Sequence, residues 1–175
     1  MERVLQVING MEAAGVIDNY AIGGGIAAIY YIEPYDTDDL DIFVPVSAVA
    51  IGNAGLISLE PIYSHLTQMG YEASREGVLI EDWLVQFIPT FHPIQVEALQ
   101  NTVHVKYGET ETKIFSAEYL AAELLRSGRL KDQARVLALL GTGKLDKDLF
   151  HDIIRRHGLT EKWAAFAKYL EQEEG

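Results

Sequence analysis

Two short runs carry the residue types that could do chemistry. The first is Gly23-Gly24-Gly25, which follows Tyr20-Ala21-Ile22; the second is Asp39-Leu40-Asp41, inside Thr37-Asp38-Asp39-Leu40-Asp41-Ile42-Phe43-Val44. In an extended strand successive side chains alternate faces, so Asp39, Asp41 and Phe43 would share one face and Leu40, Ile42 and Val44 the other. Two carboxylates so placed can share a cation. Tyr20-Ala21-Ile22 reads as a short buried strand that breaks at the glycines, and residues 26–32 read as a helix. A helix that opens on glycine presents bare backbone amides, which suit an anion. The same residues also admit a plainer account, a tight turn for helix-to-sheet packing beside a solvated acidic loop of Asp36, Asp38, Asp39 and Asp41. Asp41 argues against the loop, because it sits between apolar residues in a strand pattern, where carboxylates are depleted unless something binds them.

The elements that must position these groups follow from periodicity. Val4, Leu5, Val7, Ile8 and Met11 fall at helical spacing and predict a first helix ending near Gly15. Residues 45–56, with Gly52, Asn53 and Gly55, read as irregular, and residues 59–69 as a helix with Pro61 near its start and Gly70 at its stop. Strands are predicted over 71–74, 77–80 and 83–88, the last ended by Pro89, and a hairpin over 103–107 and 112–115 turns around Gly108. From Ser116, a plausible N-cap, the pattern becomes helical over 118–126, 131–140, 147–156 and 160–173. The sheet is therefore mixed, and an α/β part precedes an all-helical one. Lys131, Asp132 and Arg135 at helical spacing read as an exposed ion pair worth under about 1 kcal/mol. Tyr30, Tyr31 and Tyr35 could stack on a base or lie in the core.

A Gly-Gly turn between strand and helix, followed by Asp-x-Asp on the next strand, resembles the nucleotidyltransferases of the DNA polymerase beta superfamily in their minimal bacterial form. Gly24-Gly25 and Asp39-Leu40-Asp41 carry the resemblance. It implies an α+β fold: a nucleotidyltransferase-like small mixed β-sheet flanked by helices over residues 1–115, with a C-terminal helical segment over 116–175 packed on it. The run from Leu124 to Arg135 is loosely similar to a basic-then-acidic helix of bacterial members, including some toxin components of toxin–antitoxin pairs. The implied activity is Mg²⁺-dependent transfer of a nucleoside monophosphate from a nucleoside triphosphate to a small-molecule or protein acceptor. The implied roles are metal binding and catalysis for Asp39 and Asp41, and nucleotide binding for Gly24, Gly25, Thr37 and Lys131.

The chain departs from that pattern in one important place. A third carboxylate usually stands on a later strand, and here the corresponding position, in Trp83-Leu84-Val85-Gln86-Phe87-Ile88, is Gln86. Two hard cations about 4 Å apart need several anionic oxygens to offset their repulsion, so this loss weakens the second metal more than the first. Glu81 or Asp82 could substitute, although both fall in a turn where charged residues are ordinary solvated filler. A second account is thus a catalytically degenerate module that binds nucleotide or a partner protein, as in a toxin–antitoxin pair, or forms a homodimer. A third is a generic α/β scaffold with a coincidental motif.

Composition narrows the field further. The 175 residues, 49% of them hydrophobic, suffice for one domain or a core with a small appendage. A formal net charge of -12 repels phosphodiester backbones, which makes a nucleic-acid acceptor unfavourable. With no cysteine there is no disulfide framework and no thiolate ligand. No apolar run approaches a membrane span and the N-terminus is unlike a secretory leader, so the expectation is a cytoplasmic protein without a membrane partner. The glycines are not followed by Lys-Ser or Lys-Thr and do not form Gly-x-Gly-x-x-Gly, which excludes a P-loop and a dinucleotide fingerprint. His65, His92, His104, His151 and His157 show no metal-ligand spacing, and no serine sits in a nucleophile elbow.

Overall fold

The computed structural model describes residues 1–32, 37, 39–51 and 57–173; Tyr35, Asp36, Asp38, Gly52, Asn53 and Gly55 lie outside the described residues. The N-terminal apolar stripe forms α1 (Glu2–Ala13), which buries Val4, Leu5, Val7, Ile8 and Met11. β1 (Ala21–Ile22) runs through Gly23 into α2 (Gly24–Tyr31), and β2 (Asp39–Pro45) follows. Where an irregular stretch is predicted, a short 3₁₀ turn at Val46–Ala48 leads to a two-stranded antiparallel pair, β3 (Ala50–Ile51) and β4 (Ile57–Ser58). Then come α3 (Glu60–Gln68), β5 (Glu72–Ala73), β6 (Val78–Ile80) and β7 (Trp83–Thr90). The chain continues with α4 (Pro93–Gln100) and the hairpin β8 (Thr102–Tyr107) and β9 (Thr110–Phe115). Four helices close the described chain: α5 (Ala117–Ser127), α6 (Leu130–Gly141), α7 (Lys147–Arg156) and α8 (Thr160–Glu173).

Seven strands form one mixed sheet in the order β5-β6-β7-β2-β1-β9-β8. β2 runs parallel to β7 and β1 parallel to β9, while β1 and β2 are antiparallel. Contrary to the prediction, Pro89 does not end β7, which continues to Thr90 paired with β2. β6 pairs with β7 only at residues 83–85, so Pro89 lies where β7 has a neighbour on one side alone, and a residue without an N–H is tolerated there.

The register assigns the two faces. Leu40, Ile42, Ile22, Val85 and Phe87 lie on one, while Asp39, Asp41, Phe43, Leu84, Gln86 and Ile88 lie on the other. The first face is covered by α1 and α3: Ile22 and Ile114 meet Leu5 around a small apolar cavity, and the Tyr63 ring stands 6.4 Å from that of Phe87. Over the second face, α4 and α5 form a wall, with Leu120 and Leu124 of α5 opposite Phe43 and Ile88. The Phe43 and Phe115 rings pack at 4.6 Å beneath it.

α4 is absent from the sequence prediction. It starts on His92, whose Nδ1 accepts from the Ile94 amide while the Gln95 side chain accepts from the His92 amide, and Pro93 supplies the first turn. An ionic clamp ties it to the C-terminal helices. Arg156 Nη1 and Tyr119 Oη each donate to the Glu97 carboxylate at 2.8 Å, and His157 Nε2 shares a hydrogen bond with it at 2.5 Å. These donors, Arg156 foremost, hold the Glu97 carboxyl well below the usual carboxylate range, at about 2. Among the described residues no helix is long and apolar enough to cross a membrane.

Candidate functional site

The glycine turn and the paired carboxylates meet. Gly24 adopts φ +54°, and a Cβ built there would stand 1.7 Å from Oδ2 of Asp41, so the carboxylate packs directly on the bare α-carbon. A left-handed residue with no room for a side chain is a position only glycine fills without strain. One step on, a Cβ on Gly25 would lie 2.7 Å from Thr37 Oγ1 and 3.3 Å from Arg135 Nη2. The Gly23 amide donates to the Asp41 carbonyl at 3.0 Å, which fixes the turn against β2. Gly24, Gly25, Thr37, Asp41 and Arg135 therefore share one locality, with Asp39 two residues along the same face of β2.

Beside them opens a cleft of about 410 Å³ between the sheet and α5. Gly24, Asp41, Phe43 and Gln86 line its sheet side, and Gln95, Glu123, Arg126 and Arg129 face them. Gln86 stands directly opposite Asp41 in the β2–β7 register, on the same face, so an amide stands where the resemblance implies a third acid. Glu81 and Asp82 do not take over. Both are exposed in the β6–β7 turn, and Glu81, at φ +53°, approaches Arg3 of α1. Among the described residues no third carboxylate or histidine joins Asp39 and Asp41 in a metal-binding group.

Burial pushes the Asp41 carboxyl above the usual carboxylate range, and the neighbouring Asp39 adds to this. Arg129, Lys131 and Arg135 oppose it, so all three cations act on the Asp41 carboxylate. Lys131, singled out in the sequence, is exposed; of the two arginines, Arg129 caps the start of α6 and Arg135 lies within that helix. The exposed ion pair predicted around Lys131, Asp132 and Arg135 is not what forms. Asp132 is 0% exposed and receives Ser127 Oγ at 2.6 Å, Arg129 Nε at 2.6 Å and Arg135 Nη1 at 3.2 Å.

The far wall of the cleft holds a second ion pair that the sequence analysis missed. Arg126 grips Glu123 through Nε at 2.7 Å and Nη2 at 2.8 Å, and Gln95 Nε2 donates to the same carboxylate at 2.8 Å. Arg126 and Glu123 are three residues apart on α5, a spacing that fits a helix pair, but the partner Gln95 comes from the unpredicted α4. Of the tyrosines, Tyr31 is core, its hydroxyl donating to the Phe115 carbonyl at 2.9 Å, while Tyr30 is 52% exposed.

No family model matches the chain, and no curated protein matches it. Solved structures do. One is the crystal structure of an antigenic nucleotidyltransferase-like protein from Paracoccidioides brasiliensis, with a TM-score of 0.55 and 14% identity over 97% of this chain and 91% of that one. Another is the solution structure of the antibiotic-resistance factor ANT(2'')-Ia, with a TM-score of 0.52 and 15% identity over 97% of this chain and 99% of that one. The chain has the nucleotidyltransferase fold, with a mixed sheet flanked by helices as the glycine and aspartate motifs imply.

Proposed function

We propose that the cleft binds a magnesium-complexed nucleoside triphosphate and transfers the nucleoside monophosphate to a hydroxyl of a small-molecule or protein acceptor. The observation that carries this is the packing of Asp41 on Gly24: anion-binding amides and cation-binding carboxylates are joined at one point of an open cleft. Side chains that repel, Asp39 and Asp41, are held together on one face, an arrangement that a bound cation relieves. Their oxygens, with the Gln86 amide oxygen on the same face, are hard donors of the kind magnesium takes, and they fit one ion better than two. Magnesium held there supplies charge neutralisation to the phosphates.

The chain's own groups do the rest. The amides opening α2 receive phosphate oxygens, with Thr37 beside them, and Arg129, Lys131 and Arg135 balance the remaining negative charge. The acceptor oxygen bonds to the α-phosphorus as the bond to the pyrophosphate oxygen breaks, and an Asp39 or Asp41 carboxylate oxygen takes the hydroxyl proton. Catalysis is then mostly alignment and electrostatics. The net charge of -12 supports an acceptor other than nucleic acid.

Gln86 favours a second reading, a module that binds nucleotide without turnover, such as a regulatory or toxin–antitoxin component. Calorimetric titration with ATP, GTP, CTP and UTP, with and without Mg²⁺, followed by assay of released pyrophosphate, separates the two. Metal-dependent binding with pyrophosphate release supports the transferase, binding without release supports the module, and no metal-linked heat rejects both.

A further inference from the structure

We infer that Asp132 is a positioning residue for the anion side of this cleft: its buried carboxylate aims the guanidiniums of Arg129 and Arg135 at a polyphosphate chain lying over the Gly24–Gly25 turn. The inference rests on the nucleotide-binding reading of the cleft and adds to it a residue that touches no ligand. Its basis is the place of a charge where the helix pattern calls for an apolar side chain. α6 buries Asp132, Val136 and Leu139, spaced four and then three residues apart, so position 132 belongs to the core-facing stripe. A carboxylate there loses its hydration, and an apolar residue of similar size is often at least as stabilising as a buried ion pair. Stability alone therefore does not account for Asp132.

What Asp132 does account for is the direction of two cations. Its Oδ2 receives Arg129 Nε and Ser127 Oγ, and its Oδ1 receives Arg135 Nη1, so the carboxylate sits between the two guanidiniums. Arg129, gripped through Nε and 60% exposed at its side chain, lines the same cleft as Asp41 and Gly24. Arg135 turns Nη2 toward the α-carbon of Gly25. Long cationic side chains lose rotamer freedom when they bind, and guanidiniums already held in place have less to lose. Asp132 also gives both cations a partner within the protein other than Asp41, the carboxylate assigned to the metal.

The test uses inorganic tripolyphosphate, which has the phosphate chain without base or sugar, titrated into the full chain by calorimetry. Wild type is expected to bind it, and Asp132→Asn, which keeps shape and removes charge, is expected to bind about tenfold more weakly while remaining folded at the titration temperature, although it melts lower. Arg129→Gln added to Asp132→Asn is expected to cost less than Arg129→Gln costs alone, the coupling that a purely structural role would not produce. Folded Asp132→Asn with wild-type affinity, or fully additive losses, overturns the inference. If Asp132→Asn does not fold, Arg129→Gln and Arg135→Gln decide it: about tenfold weaker binding in each supports the proposal, and wild-type affinity in either rejects it. Failure of wild type to bind tripolyphosphate also rejects it. Metal-dependent nucleotide binding by wild type together with an unaffected Asp132→Asn would remove this inference while leaving the function intact. Tripolyphosphate binding that depends on Asp132, without any metal-linked nucleotide binding, would do the reverse.

Discussion

Alanine at Gly24 and alanine at Gly10 are the same chemical change with opposite consequences. At Gly24 the residue stands at φ +54°, where an L side chain costs about 1 to 2 kcal/mol. The new methyl would lie 1.7 Å from Asp41 Oδ2 and 2.8 Å from its carboxyl carbon, so the carboxylate must move, and forcing extra volume into a packed site costs about 1 to 3 kcal/mol. The sum is about 2 to 5 kcal/mol, which for a chain of this length is a fall in melting temperature of roughly 4 to 20 °C. Gly10 lies in the middle of α1, exposed, with nothing within 4 Å of an added Cβ. There alanine removes only the helix penalty of glycine and should stabilise by about 0.5 to 1 kcal/mol. Differential scanning calorimetry of both variants gives the comparison, and titration with a magnesium nucleotide shows whether displacing Asp41 abolishes binding in Gly24→Ala alone. Equal melting temperatures for Gly24→Ala and wild type would refute the contact between Gly24 and Asp41 on which the site is built.

Other outcomes follow from the same geometry. In metal-free protein the raised carboxyl of Asp41 means that the folded chain keeps a proton the unfolded chain releases, so stability falls as pH rises from the ordinary value near 3.8 through the raised one. Asp41→Asn should therefore melt higher than wild type at pH 7, with the difference gone below pH 3.8; equal melting temperatures at pH 7 would count against burial of a charge that its three neighbouring cations only partly offset. Gln86→Glu is expected to raise magnesium affinity by about tenfold in calorimetry, because it adds an anionic oxygen on the same face as Asp41. The Glu97 clamp works in the opposite sense to Asp41: its stabilisation is present above the ordinary value of 4.5 and is lost as pH falls from there to about 2. Glu97→Gln should thus cost about 2 kcal/mol at pH 7, and thermal melts across that acid window should show the gap closing.

Local signals predicted much of this architecture. The alternation through Leu40, Ile42 and Val44 gave the faces of β2 correctly, and the apolar stripes of α1 and of the C-terminal helices gave elements within a few residues of those found. The turn at Gly23 to Gly25 was legible because three consecutive glycines leave few alternatives. What one-dimensional pattern could not supply were relations between distant segments. α4 escaped because Pro89 and Pro93 bracket its start and its buried residues, Ile94, Gln95, Ala98 and Leu99, make a weak stripe; the signal present was Pro93 at the first helical position with Gln95 closing the cap on His92. β7 outran its predicted end because the cost of Pro89 depends on which strand lies beside it. Asp132 looked like surface charge because charges three residues apart on a helix are commonly solvated. Its burial was readable only from Val136 and Leu139, which place position 132 on the inward face. The Glu123–Arg126 wall needed α4 in place before its role in the cleft could be seen.

The central claim is that Asp39 and Asp41 bind a metal that holds a nucleoside triphosphate against the glycine turn. Isothermal titration of wild type, Asp39→Asn and Asp41→Asn with each nucleoside triphosphate, in magnesium and in chelator, addresses it directly. Binding by wild type in magnesium alone, lost in both folded variants, is the result this account predicts. Nucleotide affinity that is the same in all three proteins, or indifferent to magnesium, would contradict it.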